Sequence, residues 1–405
     1  MSRVIRRRWM ANFSAPSRKD RRACEYEAYV PDSLVSREIT LDGEVAADIA
    51  DAETAIARLN VEASSLVNTE ALARLLLRAE SVASSKIEGL QVGARRLLRA
   101  EAAYGLGERS IDVTATEVLG NIDAMVFAVQ NVGVSDAITL DLLLEVHRRL
   151  LAGSFLQRHG GRFRDLQNWI GGSDYHPCDA AFVPPPPELV PDLVDDLLAF
   201  CNSDSLPAVA QAAIAHAQFE TIHPFIDGNG RTGRALIHMI LRRRGLAPRV
   251  LPPISLVLAT WAKDYVGGLA ATRYRGPAGS REAGQGMNLW IARFAGAAQR
   301  AVEDATSFEQ RALAIETQWR ERLGKVRARS AVDLLLRALP GAPVMTVNSA
   351  AELIGRSFRP TNEAIAKLVE ARVLKQISVA RRNRAFEAPE IIAAFTDLEQ
   401  QLSSP

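Results

Sequence analysis

His223-Pro-Phe-Ile-Asp-Gly-Asn-Gly-Arg-Thr-Gly-Arg234 is a stretch of twelve residues near the middle of this 405-residue sequence. Its Gly-Asn-Gly turn lets backbone amides approach an anion closely, and a helix is predicted to begin directly after it, around Arg231. Arg231 and Arg234 lie three residues apart on that helix, so both guanidinium groups can face one polyphosphate. The stretch therefore predicts a phosphate site at a helix N-terminus.

Two further side chains of this stretch suit transfer chemistry. Asp227 directly precedes the turn, and its carboxylate is the kind of hard oxygen ligand that holds Mg²⁺ against phosphate oxygens. The imidazole of His223, with an ordinary pKa of about 6.5, can remove a proton from an attacking hydroxyl near neutral pH. A base, a metal ligand and a phosphate cradle so close together indicate phosphoryl or nucleotidyl transfer. The alternative is a helix cap and turn whose histidine only packs.

The stretch resembles the signature of the Fic family, HPFx(D/E)GNGRxxR, at every fixed position, and the resemblance extends from about Ala28 to Ala297. It implies that His223 deprotonates the target side chain and that Asp227 holds Mg²⁺. It also implies in-line attack on the α-phosphorus of ATP, which releases pyrophosphate and leaves AMP on a Tyr, Ser or Thr. The residues that the resemblance assigns to phosphate binding are Gly228, Asn229, Gly230, Arg231 and Arg234.

Two other segments carry the resemblance further. Residues 162–187 are rich in Gly and Pro, favour a short β-hairpin, and resemble the family's flap, which holds the target backbone by β-strand addition. Ile170 and Phe182 are candidates to pin the target there, and a surface loop without a binding role is the alternative. Tyr265 falls where the family often places an aromatic near the adenine. Because Val266 stands where many relatives have a second aromatic, a core tyrosine is equally compatible with the pattern.

A predicted inhibitory segment lies before the motif, and we call its effect on the site the brake. The segment Ser84-Ser-Lys-Ile-Glu88-Gly89 matches the family's inhibitory pattern, S/T-x-x-x-E-G/N. This resemblance implies that Glu88 pairs with Arg234 and takes the place of the γ-phosphate, while Ser84 caps or orients the helix. A carboxylate and a guanidinium about 4 Å apart attract by about 4 kcal/mol at an effective dielectric of about 20. By itself the pattern is short, and Glu88 could equally be a solvated helix residue followed by a C-capping Gly89.

Apolar residues recur with helical spacing over residues 42–153 and again over residues 190–198. Together with the resemblance, this predicts a mainly α protein: a helical Fic-domain core with a β-hairpin flap, plus a C-terminal winged helix-turn-helix. The predicted segments are an N-terminal extended arm (1–40), a Fic N-terminal helical region with the inhibitory helix (41–140), the Fic core (141–300), a linker helix (301–325) and the winged helix-turn-helix (326–400).

The winged-helix prediction rests on the order of elements after residue 326: a helix, an extended segment, two helices, a strand, a basic turn and a return strand. Contacts between these basic residues and phosphates would suit DNA. The basic residues are Arg356, Arg359, Lys367, Arg381, Arg382 and Arg384. Glu363 and Glu370 lie on the predicted recognition helix, however, and winged helices also serve as protein-docking or dimer modules. DNA, another protein and a second copy of the chain remain alternative partners.

Composition argues against several classes of protein. Basic residues number 49 and acidic residues 47, so no overall charge directs the chain to nucleic acid or membranes. No run of about eighteen apolar residues occurs, which argues against a membrane partner. Cys24, Cys178 and Cys201 are far apart in sequence and lack metal-binding spacing. We therefore expect unpaired thiols in a reduced, cytoplasmic protein.

These observations predict an ATP- and Mg²⁺-dependent protein adenylyltransferase that modifies a target protein or itself and is autoinhibited by Glu88. Two alternatives stay open. Fic relatives can remove AMP or transfer other phosphoryl or nucleotidyl groups, and Glu88 could then position a water molecule. The domain could also be a nucleotide sensor within a DNA-binding regulator.

Overall fold

A computed structural model of the chain describes residues 2–65, 69–104, 112–380 and 383–401. Helices dominate, which confirms the predicted mainly α class. The helices up to residue 323 are α1 (Gly43–Ser65), α2 (Thr69–Ile87), α3 (Ala94–Tyr104), α4 (Val113–Gln130), α5 (Leu140–Leu150), α6 (Val190–Cys201), α7 (Ala208–Ile222), α8 (Asn229–Arg243), α9 (Ile254–Thr260), α10 (Ala262–Ala271) and α11 (Arg281–Leu323). Within the described ranges, none of the helices combines the length and the apolar character needed to cross a bilayer.

Helix α7 lies at the centre of the largest hydrophobic cluster, and all of its residues are buried. Its many alanines allow neighbouring helices to approach closely, since small side chains keep the backbones near one another. Helix α8 packs beside it, and Trp290 of α11 donates a hydrogen bond to the Ala213 carbonyl of α7 at 2.7 Å. The end of α7 and the start of α8 are therefore held rigidly, and the sequence between them is the stretch that predicts the phosphate site.

The predicted extended arm is a β-hairpin. Strand β1 (Arg3–Trp9) pairs antiparallel with strand β2 (Cys24–Val30). Cys24 forms a disulfide with Cys178, 154 residues away, which corrects the prediction of unpaired thiols; Cys201 is a buried free thiol. Sequence spacing gave no sign of this pair because only the tertiary structure brings the two segments together. Because two of the three cysteines form a disulfide, the cysteines no longer support the prediction of a reduced compartment.

The flap and helix α11 bear on two further predictions. The flap hairpin is short, since Ile170 and Phe182 pair in an isolated antiparallel bridge in which the Ile170 N–H donates to the Phe182 carbonyl at 2.8 Å. Helix α11 runs unbroken across residue 300, so the predicted end of the core and the linker helix belong to one element. Ser280 caps the start of α11, where its hydroxyl accepts from the Ala283 N–H, and the helix ends before Gly324.

The C-terminal part follows the predicted order of elements and adds a last helix that the sequence did not predict. Its elements are α12 (Ala331–Ala338), β3 (Val344–Thr346), α13 (Val347–Leu353), α14 (Phe358–Glu370), β4 (Lys375–Ala380), β5 (Asn383–Glu387) and α15 (Pro389–Gln401). The strands form one antiparallel sheet in the order β3, β5, β4. Arg381 and Arg382 of the predicted basic turn lie outside the described residues. The winged-helix assignment stays a prediction.

The C-terminal part shares a hydrophobic cluster with α2. Leu75, Ala79 and Ala83 of α2 belong to the same buried cluster as Leu335 of α12 and Phe386 of β5. Gly341 lies so close to α2 that a Cβ there would come within 2.7 Å of the Ala71 backbone. The helix that carries the predicted inhibitory segment is therefore packed between the central helices and the C-terminal part.

Candidate active site

His223 ends α7 in a left-handed backbone conformation, with φ of 51°, and its N–H donates to the Phe219 carbonyl at 2.8 Å. This conformation is uncommon for a residue with a side chain and turns the chain sharply toward α8. Burial, followed by the positive charge of Arg164, lowers the pKa of His223 to about 4. The imidazole is therefore neutral near neutral pH, which is the form that can accept a proton.

Asn229 braces the loop between the two helices. Its Oδ1 accepts from the Phe225 N–H at 2.8 Å, and its Nδ2 donates to the Phe225 carbonyl at 2.9 Å. The side chain thereby braces the loop from inside, and the phosphate contact of Asn229 stays a prediction. Gly228, with φ of 76°, allows the turn that starts α8.

Arg231 lies beneath this turn and is only 4% exposed. Its Nε and Nη1 are buried and, within the described residues, make no hydrogen bond, while Nη2 lies 3.4 Å from Asp227 Oδ2. A buried guanidinium with unused donors is costly unless an anion completes it. The carboxylate of Asp227 is half exposed.

The residues present are compatible with Mg²⁺ bound together with a polyphosphate. No group of three His, Cys, Asp or Glu side chains able to hold a metal occurs among the described residues. Mg²⁺ usually takes only one or two protein carboxylates and completes its shell with substrate phosphates and water. Asp227 can supply one such ligand next to the predicted phosphate site.

Arg234 is buried and joins α8 to the end of α2. Its Nη2 lies 2.7 Å from Glu88 Oε1, its Nε donates to Ser84 Oγ at 2.8 Å, and Nη2 also donates to the Ser84 carbonyl at 2.7 Å. A Cβ on Gly230 would overlap the Glu88 carboxylate, which therefore lies over the first turn of α8. Burial raises the pKa of Glu88, but the charge and hydrogen bond of Arg234 lower it overall.

Ser84 and Gly89 frame this carboxylate. Ser84 lies inside the last turn of α2 and accepts a hydrogen bond from Arg234, so of the two predicted roles, capping or orienting the helix, its position fits the second. Gly89 has φ of 80° and follows directly on Glu88, so the chain turns away from the site there.

The Fic/DOC family model matches residues 137–241, and the model of the Fic/DOC N-terminal region matches residues 46–130. The chain carries a Fic domain and, before it, a Fic N-terminal region. Both matched regions meet at the site, since Glu88 comes from residues 46–130 and His223 and Arg234 come from residues 137–241.

Named relatives match part of this Fic chain. It is 38% identical over 120 residues to the Caenorhabditis elegans protein adenylyltransferase fic-1, covering 29% of this chain and 22% of that protein. It is 37% identical over 155 residues to the protein adenylyltransferase Fic of Drosophila grimshawi, covering 38% of this chain and 30% of that protein. The chain thus spans 22% and 30% of the length of these two relatives.

A solved structure supports the fold. A Fic family protein from Desulfovibrio desulfuricans G20 superposes with a TM-score of 0.53 at 23% identity, covering 87% of this chain and 98% of that one.

His216 and Tyr265 lie side by side in the interior of the Fic core. His216 lies in the interior with Nε2 2.8 Å from the Tyr265 hydroxyl, as expected for a packed histidine. Tyr265 is 6% exposed and also contacts Arg234 Nη1 at 3.4 Å, which matches the alternative of a core tyrosine. Its place beside an adenine stays a prediction.

His147 of α5 is a site residue that the sequence did not reveal. It stacks on Phe225 with ring centroids 3.7 Å apart. Its Nδ1 accepts from the Gly161 N–H at 3.0 Å and its Nε2 donates to the Asp227 carbonyl at 3.0 Å, which fixes the tautomer. His147 thus holds the backbone of the loop between α7 and α8, and nothing in its local sequence could have shown this.

Glu220 is the second residue that was missed. Its Oε2 lies 4.0 Å from His223 Nδ1, and burial, followed by the negative charge of Glu88, raises the pKa of Glu220 to about 7. Glu220 stands three residues before His223, and this spacing was a readable signal, since residues three apart share one face of a helix.

Proposed function

We propose that this Fic protein transfers AMP from ATP to a Tyr, Ser or Thr hydroxyl of a target protein, with Mg²⁺, and that Glu88 inhibits the transfer. The observation that supports this most is the position of the Glu88 carboxylate over the first turn of α8, where the buried Arg234 holds it inside the predicted anion cradle. An ATP γ-phosphate at Arg234 has to displace that carboxylate. The names of the matched relatives support the same chemistry.

Each residue of the site has a physical role in this proposal. Neutral His223 takes the proton of the attacking hydroxyl, while the backbone N–H groups at the start of α8 and the free donors of Arg231 bind phosphate oxygens. Asp227 would hold Mg²⁺, which neutralises phosphate charge when bound. The flap beside the site, with its exposed Ile170, would align the target backbone.

The first prediction tests both the chemistry and the brake. With Mg²⁺ and α-labelled ATP, Glu88→Gly is expected to transfer more label to protein than the parent, because Arg234 becomes available to the nucleotide. Adding His223→Ala should abolish the label. Gel autoradiography and intact mass measure the product, and γ-labelled ATP separates AMP transfer from phosphate transfer. Equal labelling of parent and Glu88→Gly would refute the brake.

For residues 326–400 we propose a winged helix-turn-helix used for docking to a protein or to DNA. The order of elements and the three-stranded sheet support the proposal. On α14, Arg359 pairs with Glu363 at 3.2 Å, so part of its charge is already balanced. Filter binding of the full chain to duplex DNA over a salt series tests the alternatives: a steep salt slope indicates DNA, and no retention indicates a protein partner.

A further inference from the structure

A buried carboxylate lies beside the proposed base. Glu220 belongs to the last turn of α7 and His223 is the residue that ends the helix. Glu220 Oε2 lies 4.0 Å from His223 Nδ1, and the two side chains are 10% and 19% exposed. Glu220 Oε1 and His223 Nδ1 are both buried and, in the described part of the chain, neither makes a hydrogen bond. A small side-chain rotation would join them, as often happens when a catalytic complex forms.

Charged groups from several elements face Glu220. Glu88 approaches from the end of α2, Arg234 from α8 and Arg273 from the segment after α10. Gly233 of α8 lies against the carboxylate, since a Cβ there would come within 2.9 Å of Glu220 Oε1. Burial and the charge of Glu88 together outweigh the two guanidinium groups and raise the pKa of Glu220 to about 7. Glu220 therefore changes charge near neutral pH.

We propose that Glu220 is a positioning residue that holds the His223 ring through Nδ1 and stabilises the imidazolium formed during transfer. The proposal rests on the proposed function. In that step the hydroxyl O–H bond breaks, oxygen bonds to the α-phosphorus, the bond to the β-phosphate oxygen breaks and pyrophosphate leaves. The hydroxyl proton goes to His223 Nε2, and ionised Glu220 then faces the positive ring.

The charge of Glu88, acting on Glu220, adds a second component to the brake. While Glu88 is docked, its charge favours the protonated form of Glu220, which cannot balance an imidazolium. When Glu88 is absent, Glu220 ionises at a lower pH and His223 gains its partner. Glu88 then controls the base as well as the phosphate cradle.

The direct test is ring NMR of the full-length protein labelled on histidine, titrated from about pH 5 to 9, with the His223 signal assigned through His223→Ala. The His223 signal should show a step near pH 7, where Glu220 ionises. Glu220→Gln should abolish the step, Glu88→Gly should move it to lower pH, and Glu303→Gln, a change at an exposed site on α11, should leave it in place. A step that persists in Glu220→Gln overturns the proposal, as does its absence from the parent.

Kinetics give the second test, in the Glu88→Gly background. Glu220→Gln should lower kcat by about tenfold or more and remove its rise with pH, while KM for ATP stays nearly constant. A purely structural role would leave the pH profile unchanged, and that outcome overturns the proposal. If no variant transfers label, the proposed function fails, whereas the NMR step still decides whether Glu220 pairs with His223.

Discussion

At the scale of single residues, one guanidinium organises the site. Arg234 is buried and lies between two carboxylates, Glu88 at 2.7 Å and Glu220 at the neighbouring face of α7. The charge and hydrogen bond of Arg234 outweigh burial and lower the pKa of Glu88, whereas burial, followed by the charge of Glu88, raises the pKa of Glu220. The two residues are thereby given opposite protonation preferences near neutral pH.

The lowered pKa of Glu88 predicts how the stability of the fold depends on pH. A carboxylate whose folded pKa lies below its unfolded value of 4.5 stabilises the fold fully above that pH and loses this effect as pH falls through the folded pKa. Glu88→Gln should therefore unfold at a lower temperature than the parent near pH 7, and the difference should shrink below about pH 4.5. Thermal unfolding at several pH values measures it.

A matched control separates this pair from general acid effects. Glu70 of α2 forms an ion pair with Arg74 in which the two side chains are 82% and 47% exposed. Glu70→Gln should change the unfolding temperature little at any pH, because exposed pairs contribute little. A pH-independent difference between the parent and Glu88→Gln would contradict the ionic origin of the effect.

At the scale of elements, Arg164 fixes the flap to the loop between α7 and α8. This side chain is 5% exposed and donates to the carbonyls of His223 at 2.9 Å and Leu166 at 3.2 Å. On its other side the flap is linked to the N-terminal hairpin by the Cys24–Cys178 disulfide. The segment that would align a target is thus attached both to the proposed base and to β2.

Removing Arg164 should damage stability and transfer together. Arg164→Met leaves several buried carbonyls without a donor, and each such loss costs about 1–3 kcal/mol. We expect a lower free energy of unfolding in urea and, in the Glu88→Gly background, slower transfer because His223 is less firmly held. Arg162→Met, at an exposed position two residues away, is the control and should resemble the parent. Equal stability of the two variants would show that these hydrogen bonds contribute little.

At the scale of the whole molecule, α2 connects two hydrophobic clusters. Leu72 and Leu76 belong to the central cluster, whereas Leu75, Ala79 and Ala83 belong to the cluster of the C-terminal part. The position of Glu88 therefore depends on packing far from the active site. A change in the C-terminal part has a physical route to the brake through this helix.

A cavity in the C-terminal cluster should loosen the brake. Leu335 of α12 is fully buried, and Leu335→Ala should destabilise the protein by about 2–5 kcal/mol. We expect faster hydrogen exchange in α2 and more label transfer than in the parent, although Glu88 is intact. Leu197→Ala in α6, also fully buried but in the central cluster, should destabilise without selectively exposing α2. Unchanged exchange in α2 of Leu335→Ala would contradict the coupling.

The sequence alone determined the features whose physics is local. The turn at residues 228–230, the helix after it and the helical spacing of apolar residues follow from neighbours in the chain. The family resemblance also predicted that Glu88 pairs with Arg234, and the two side chains meet at 2.7 Å although they lie 146 residues apart. Element order in the C-terminal part was readable for the same local reasons.

Only the tertiary structure decided the contacts between distant segments. The Cys24–Cys178 disulfide, the bonds from Arg164 to the catalytic loop and the ring of His147 against Phe225 each join residues that no local pattern relates. The protonation of Glu220 depends on burial and on Glu88, which is distant in sequence. Periodicity fixes which face of a helix is apolar, but the partner of that face and the charge of a buried group are set by packing.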